Sequence, residues 1–177
     1  MKKCILGVVS VFMIFIFLGA ASGAEIQKLR ANMRSGTDVA EGVKWLYDKS
    51  TPVNPPRNAL SFFLSIGQKD GYTWPSLLAG FSGKGWIFFE ALVFSIDGEK
   101  IAVPVDVDRV VRSNDNENVW ESITMPAEEW LIKKIYASKD ANVRFDSGGG
   151  YYVDFAITRQ QKNALRRVWR LYELMTR

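Results

Sequence analysis

Histidine is absent from this chain of 177 residues, and cysteine occurs once, as Cys4. Without imidazole there is no serine or cysteine triad of the usual kind, no imidazole acid–base step and no ordinary zinc or copper site. With a single thiol there is no intrachain disulfide and little scope for thiolate chemistry. No cofactor and no metal are therefore expected. Calcium needs only oxygen ligands, so the run Asn114-Asp115-Asn116-Glu117-Asn118 invites comparison with a calcium loop. It has Val119 where the turn glycine belongs and Met125 where the distal carboxylate belongs, so it reads as a solvated turn. Gly80-Phe81-Ser82-Gly83-Lys84-Gly85 has a Gly-Lys step but lacks the remaining phosphate-loop residues. Charge of one sign is also scarce, with 23 Lys+Arg against 19 Asp+Glu. Nothing in that balance draws the protein towards nucleic acid.

Long apolar runs are confined to the start of the chain. Lys2 and Lys3 precede an almost wholly apolar stretch from Ile5 to Leu18, and Ser22-Gly23-Ala24 places small side chains at its end. This is the pattern of a secretory signal, with cleavage expected after Ala24 and a periplasmic or secreted product beginning at Glu25. An uncleaved anchor is the competing reading, because about 17–25 apolar residues can span a bilayer. Cys4 lies ahead of the apolar run, whereas the acyl-accepting cysteine of a lipoprotein lies behind it. It is expected to leave with the signal. The remaining 153 residues carry a net charge of +2 and neither histidine nor cysteine. That length suits one domain stabilised by apolar burial rather than by disulfides.

The rest of the chain reads mainly as strands. Ile26, Leu29 and Met33 recur at helical spacing in a segment ended by Ser35-Gly36. Val43, Trp45 and Tyr47 share one parity and suit a strand; a helix started by Asp38 and Glu41 competes, weakened by Gly42. Residues 51–56 hold three of the six prolines and read as a stiff connector. Strands are expected over Ala59–Ile66 and Leu77–Phe81, with the turn-rich Gly67–Pro75 between them. Trp86–Ile96 reads as a strand apolar on both faces and so covered on both sides. Asp97-Gly98 marks a hairpin returning along Lys100–Val105. Val107–Arg112 and Val119–Ile123 flank the polar turn Ser113–Asn118, and Pro126–Ser138 reads as a helix with acids early and lysines late.

The last hairpin permits a register. Keeping Val143 and Phe145 on one face with Val153, Phe155 and Ile157 pairs Phe145 with Val153 and sets Arg144 across from Asp154. Thr158 and Gln161 form a capping box for a final helix whose stripe is Leu165, Val168, Tyr172 and Met175, widened by Trp169 and Leu171. The expected fold is a β-rich α+β domain, sandwich-like and antiparallel, with a helix before the last hairpin and a C-terminal helix.

Few residues stand out chemically. Glu90 interrupts an apolar strand face; a buried carboxylate there could act as an acid, and a sheet edge or a basic partner is the plainer reading. Gly148-Gly149-Gly150 could cradle an anion or merely form a flexible loop. Arg159, Lys162, Arg166, Arg167 and Arg170 lie largely away from the apolar stripe of the last helix and could form a patch for anionic lipid or an acidic partner. Of the six tryptophans, most fall on apolar faces and read as core. Trp74, in a Gly/Pro-rich turn beside Tyr72, is the candidate for an exposed ligand face.

Taken in order, Val43-Lys44-Trp45, Asp48-Lys49-Ser50-Thr51-Pro52, Trp86-Ile87-Phe88, Asp97-Gly98, Trp120-Glu121, Arg144-Phe145, Tyr151-Tyr152 and the capped helix from Thr158 form an ordered set. In these the chain resembles, from about Val43 to Met175, a group of small exported bacterial proteins of uncharacterised function. The resemblance implies a β-rich fold with a terminal helix and brings no activity with it. The function expected is a non-enzymatic binding or interaction module of the periplasm or envelope, with no catalytic residue assigned. A hydrolase using carboxylate or Ser/Lys chemistry, or a peripheral protein held to anionic lipid by its last helix, are the alternatives.

Overall fold

The computed structural model describes residues 23–52, 59–115 and 117–177. Ten strands form two antiparallel sheets: β1 (Met33–Asp38), β2 (Val43–Asp48), β3 (Leu60–Lys69), β4 (Tyr72–Gly83), β5 (Ala91–Ile96), β6 (Glu99–Pro104), β7 (Val111–Asn114), β8 (Val119–Pro126), β9 (Ala141–Asp146) and β10 (Tyr152–Ala156). The helices are α1 (residues 23–30), α2 (Glu129–Ala137) and α3 (Arg159–Met175). The larger sheet runs β1-β2-β3-β4-β8-β7 and the smaller β10-β9-β5-β6. The expected β-rich α+β architecture, with a helix before the last hairpin and another at the end, is what the chain adopts.

Both sheets and α3 share one core. Phe62 of β3 meets Phe94 of β5 at 6.0 Å between ring centroids, and Phe81 of β4 meets Phe145 of β9 at 5.5 Å. From α3, Leu165, Val168, Trp169 and Leu171 join the same cluster. On β2 to β4 the inward residues are therefore Leu46, then Phe62, Leu64 and Ile66, then Leu77, Ala79 and Phe81. The alternate residues of these strands point the other way.

Where local chemistry is decisive, the structure follows it. Asp97-Gly98 turns β5 into β6 with φ of 48° and 89°, as a two-residue hairpin turn requires. Phe145 pairs with Val153, and Arg144 with Asp154 through hydrogen bonds of 2.8 and 2.9 Å. Thr158 and Gln161 form the reciprocal capping box.

Several expectations are corrected. Met33 does not continue α1: the helical residues give way to a turn at Ala31-Asn32, and Met33 opens β1 with its side chain buried. Asp38 does act as a cap, but of the β1–β2 turn, where its carboxylate accepts from the amides of Ala40 and Glu41. The span Gly67–Pro75 is not a loop. Asp70 and Gly71 alone make the turn, with φ of 51° and 82°, and β3 and β4 extend to meet it. Pro75 is tolerated because the pairing of β4 with β8 stops at Ser76; its carbonyl still accepts from the Ala127 amide, and no strand residue there calls for the N–H that proline lacks. Pro126 ends β8 instead of starting α2. Val107–Arg109 is a single 3-10 turn before β7. The proline connector lies largely within residues 53–58, outside the described residues.

Trp86–Ile96 is not one strand. Only Ala91–Ile96 is paired as β5, and Phe88 takes a left-handed conformation with φ of 54°. The buried residues accordingly change phase, from Ile87 and Phe89 to Leu92, Phe94 and Ile96. What resembled a two-sided apolar strand is two segments, each buried on one side.

Candidate functional site

The inward alternation of β2, β3 and β4 leaves a second face of the larger sheet, and no described element packs on it. Its rows follow from the register. Gly36, Trp45, Gly67 and Trp74 lie in line across β1 to β4; Arg34, Tyr47, Ser65 and Ser76 form the next row. Phe63, Leu78 and Thr124 follow, then Ser61, Gly80 and Ser122, then Ser82 and Trp120. Large rings thus alternate with small hydroxyl-bearing or glycine positions.

The small residues give the rings their places. A Cβ on Gly67 would lie 2.5 Å from Cε2 of Trp74, so the indole rests directly on the β3 backbone and a side chain there would evict it. Trp45 meets Trp74 edge-on at 5.9 Å. Tyr47 lies 6.4 Å from Phe63, and the Arg34 guanidinium stacks on Tyr47 at 4.6 Å from its centroid. Arg34 also donates to the Thr51 carbonyl, while its Nε is buried without a partner, so the guanidinium keeps unused donor capacity.

Two open troughs result. One, of about 500 Å³, lies among Trp45, Tyr47, Phe63, Ser65, Leu78 and Thr124. The other, of about 360 Å³, lies among Arg34, Phe63, Gly80, Trp120 and Ser122, with Thr51 and Pro52 as its wall beyond the sheet. Tyr47, Phe63 and Leu78 line both and form the low divide between them.

The tryptophans are not mostly core. Only Trp169 is buried; Trp45, Trp74, Trp86 and Trp120 are half-buried, and Trp130 on α2 is 53% exposed. Trp74 thus lies on the open face, on the same parity as Tyr72, which stands 76% exposed beside the Asp70-Gly71 turn. Tyr72 and Trp74 stand out in the sequence, whereas Trp45, Tyr47, Phe63 and Trp120, which share the face, do not. The shared parity of Trp45 and Tyr47 was visible, but parity alone does not say which side of a strand is covered.

The cations of α3 are placed differently. Arg167 makes two hydrogen bonds to the Asp48 carboxylate, at 2.7 and 3.0 Å. Burial alone would raise the Asp48 carboxyl, but hydrogen bonds from Arg167 and Ser50, with the guanidinium charge, outweigh it and hold it below the usual carboxylate range. Arg170 grips Glu25 of α1 at 2.7 and 2.9 Å. Lys162 donates to the Ser138 and Lys139 carbonyls. Arg166 donates to the Tyr136 carbonyl and lies over that ring. Arg159 is exposed at the start of the helix. Four of the five cations therefore tie α3 to α1, α2 and β2.

Glu90 is exposed, close to the glycine loop: a Cβ on Gly148 would fall 3.0 Å from its Oε2. That carboxylate, and the Gly148 amide's bond to Asp146, make the loop a poor anion cradle. Apart from Asp48, the buried carboxylate is Glu121, fully enclosed on the inward side of β8. It accepts from the amides of Ile87 and Phe88 and from Arg112 Nε at 3.2 Å. Its signal in the sequence was a lone acid between Val119 and Ile123 on an apolar parity. Asx-type hydrogen bonds from Glu117 and Asn118 to Asp115 shape the polar turn, of which Asn116 lies outside the described residues. Among the described residues there is no group of three potential metal ligands, and no helix is long and apolar enough to cross a membrane.

The class that this geometry defines is a two-sheet, β-rich α+β protein with an open aromatic sheet face. Comparison with protein-family models, with curated proteins and with solved structures finds no match.

Proposed function

We propose that this protein is an exported, non-enzymatic binding module and that its ligand lies along the open face of the larger sheet. The observation that carries the reading is the placement of Trp45, Tyr47, Phe63, Trp74 and Trp120, all half-buried, over small hydroxyl and glycine positions on a face that no described helix or strand covers and that Thr51 and Pro52 border beside Arg34. Rings left partly in water forgo apolar burial worth about 25 cal/mol per Å². Contiguous faces of this kind mark interaction sites more often than scattered exposed residues do. Catalysis has less support, because the two buried carboxylates are engaged elsewhere: Asp48 holds Arg167, and Glu121 holds two amides and Arg112. The lipid-anchoring alternative is weakened by the same kind of accounting, since most α3 cations already have partners. Export rests on the Lys2–Ala24 pattern.

The test is co-sedimentation with cell envelopes isolated from the native host. The wild-type protein is expected in the pellet. A Trp45→Ala/Trp74→Ala double variant is expected to lose retention by at least about tenfold, as aromatic anchors at the centre of an interface do. Trp130→Ala is expected to behave as wild type. Trp120→Ala gives an independent second reading of the face, should the double variant fail to fold. Equal pelleting of the folded face variants and the wild type would overturn the assignment.

A further inference from the structure

We infer that the open face takes an extended, uncharged polysaccharide chain. This rests on the reading above and adds the class of ligand. Three features of the face select it.

The first is what the face offers for hydrogen bonding. The backbone groups of β2, β3, β4 and β8 are consumed by their antiparallel ladders, so the donors and acceptors available across the face are side-chain groups, hydroxyls along the strands with Arg34 and Asp38 on β1. Ser61, Ser122 and Thr124 stand partly in solvent and provide the hydroxyls, whereas Ser65 and Ser76 are buried and Ser65 Oγ donates to the Ser76 carbonyl. A hydroxyl both donates and accepts, which matches the hydroxyls of a sugar ring. An extended peptide instead seeks backbone groups at a sheet edge.

The second is the pairing of those hydroxyls with partly exposed rings. A pyranose presents a C–H face that packs on an aromatic ring and an equatorial rim of polar groups. Trp45, Trp74, Phe63 and Trp120 supply the platforms, and the hydroxyls of Ser61, Ser122 and Thr124 among them lie where the rim would fall. A lipid tail or an apolar protein surface would leave these hydroxyls desolvated without a partner.

The third is charge and length. Among the described residues, Arg34 and Asp38 are the only charged ones lining the troughs apart from Glu121, which is already paired. The two opposite charges leave the troughs themselves with no net sign, suited to a neutral ligand, and Lys69, across from Tyr72, is a further cation on the same face outside the trough linings. From Trp74 to Ser82, the β4 neighbour of Trp120, is eight residues along the strand, roughly 26 Å at strand rise. The platforms therefore form a trail suited to several consecutive sugars, in contrast to a closed pocket for one.

The experiment strips the envelope to its glycan. Envelopes are extracted with chloroform and methanol, then digested with proteinase K, and the washed residue is used for co-sedimentation. The wild-type protein is expected to pellet with this residue as well as with untreated envelopes, and to the same extent at low and high salt. Trp45→Ala/Trp74→Ala is expected to lose about tenfold or more in both preparations. Retention lost on protease treatment would overturn the inference in favour of a protein partner. Retention lost on solvent extraction, or abolished by salt, would overturn it in favour of lipid. In either of those cases the untreated envelope still separates wild type from the double variant, so the face remains the site. If the variants match wild type on untreated envelopes, the site itself is wrong.

Discussion

Replacing Arg167 by alanine is expected to lower the stability of the protein by about 2–3 kcal/mol near neutral pH. Asp48 is only 2% exposed, and its carboxylate depends on Arg167 and Ser50 for its hydrogen bonds. Removing one partner of an enclosed ion pair strands the other charge, and the cost approaches about 3–5 kcal/mol for a fully enclosed pair. Arg167 is itself one-third exposed, so solvent screens part of that loss and the lower range is appropriate. The dependence on pH follows from the depressed carboxyl of Asp48. Its contribution is complete above the ordinary aspartate range and disappears as pH falls through the lower folded value. Urea melts of wild type and Arg167→Ala should therefore converge in acid. A pH-independent difference would show that the guanidinium acts through packing alone.

Glu121→Ala is expected to cost about 3 kcal/mol or more, because it removes the acceptor for two backbone amides and the partner of Arg112 together. Those amides belong to Ile87 and Phe88, in the stretch between β4 and β5 that carries the chain from one sheet to the other. Phe88 holds a left-handed backbone conformation there, which costs an ordinary side chain about 1–2 kcal/mol, and its ring is 56% exposed over Arg112. The Glu121 carboxylate maintains this arrangement against its own strain. Hydrogen exchange should show the Ile87 and Phe88 amides losing protection in Glu121→Ala before the β3–β4 ladder does. A stability change within about 0.5 kcal/mol, the size of an ordinary surface substitution, would contradict the role given to this carboxylate.

Much of the fold was legible because short-range chemistry fixed it. Asp97-Gly98 specified a turn, Thr158 with Gln161 specified a helix start, and the parity of Val143, Phe145, Val153 and Phe155 specified a register. What escaped depended on relations between segments. Gly67 and Pro75 look like loop residues until Gly67 is seen to accommodate the Trp74 ring and Pro75 to lie beyond the end of β8. Trp86–Ile96 looks like one two-sided strand because a left-handed Phe88 is not written in any local pattern. The open aromatic face was hidden for a related reason: Trp45 and Tyr47 have the alternation of buried residues, and only the position of α3 and the smaller sheet shows that Leu46 and Asp48 face inward instead. The arginines of α3 seemed free for the opposite reason, since Asp48 and Glu25 are distant in sequence.

The open sheet face as the binding surface is tested most directly by nitrogen-15 NMR of the labelled protein. Soluble glycan fragments, made by partial acid hydrolysis of the protease-treated and solvent-extracted envelope, are titrated in while the six indole N–H resonances are followed. The indoles of Trp45, Trp74 and Trp120 should shift together with the amides of β3 and β4, while Trp130 and Trp169 stay in place. Shifts confined to Trp130 or to the arginines of α3, with the face unmoved, would contradict the account.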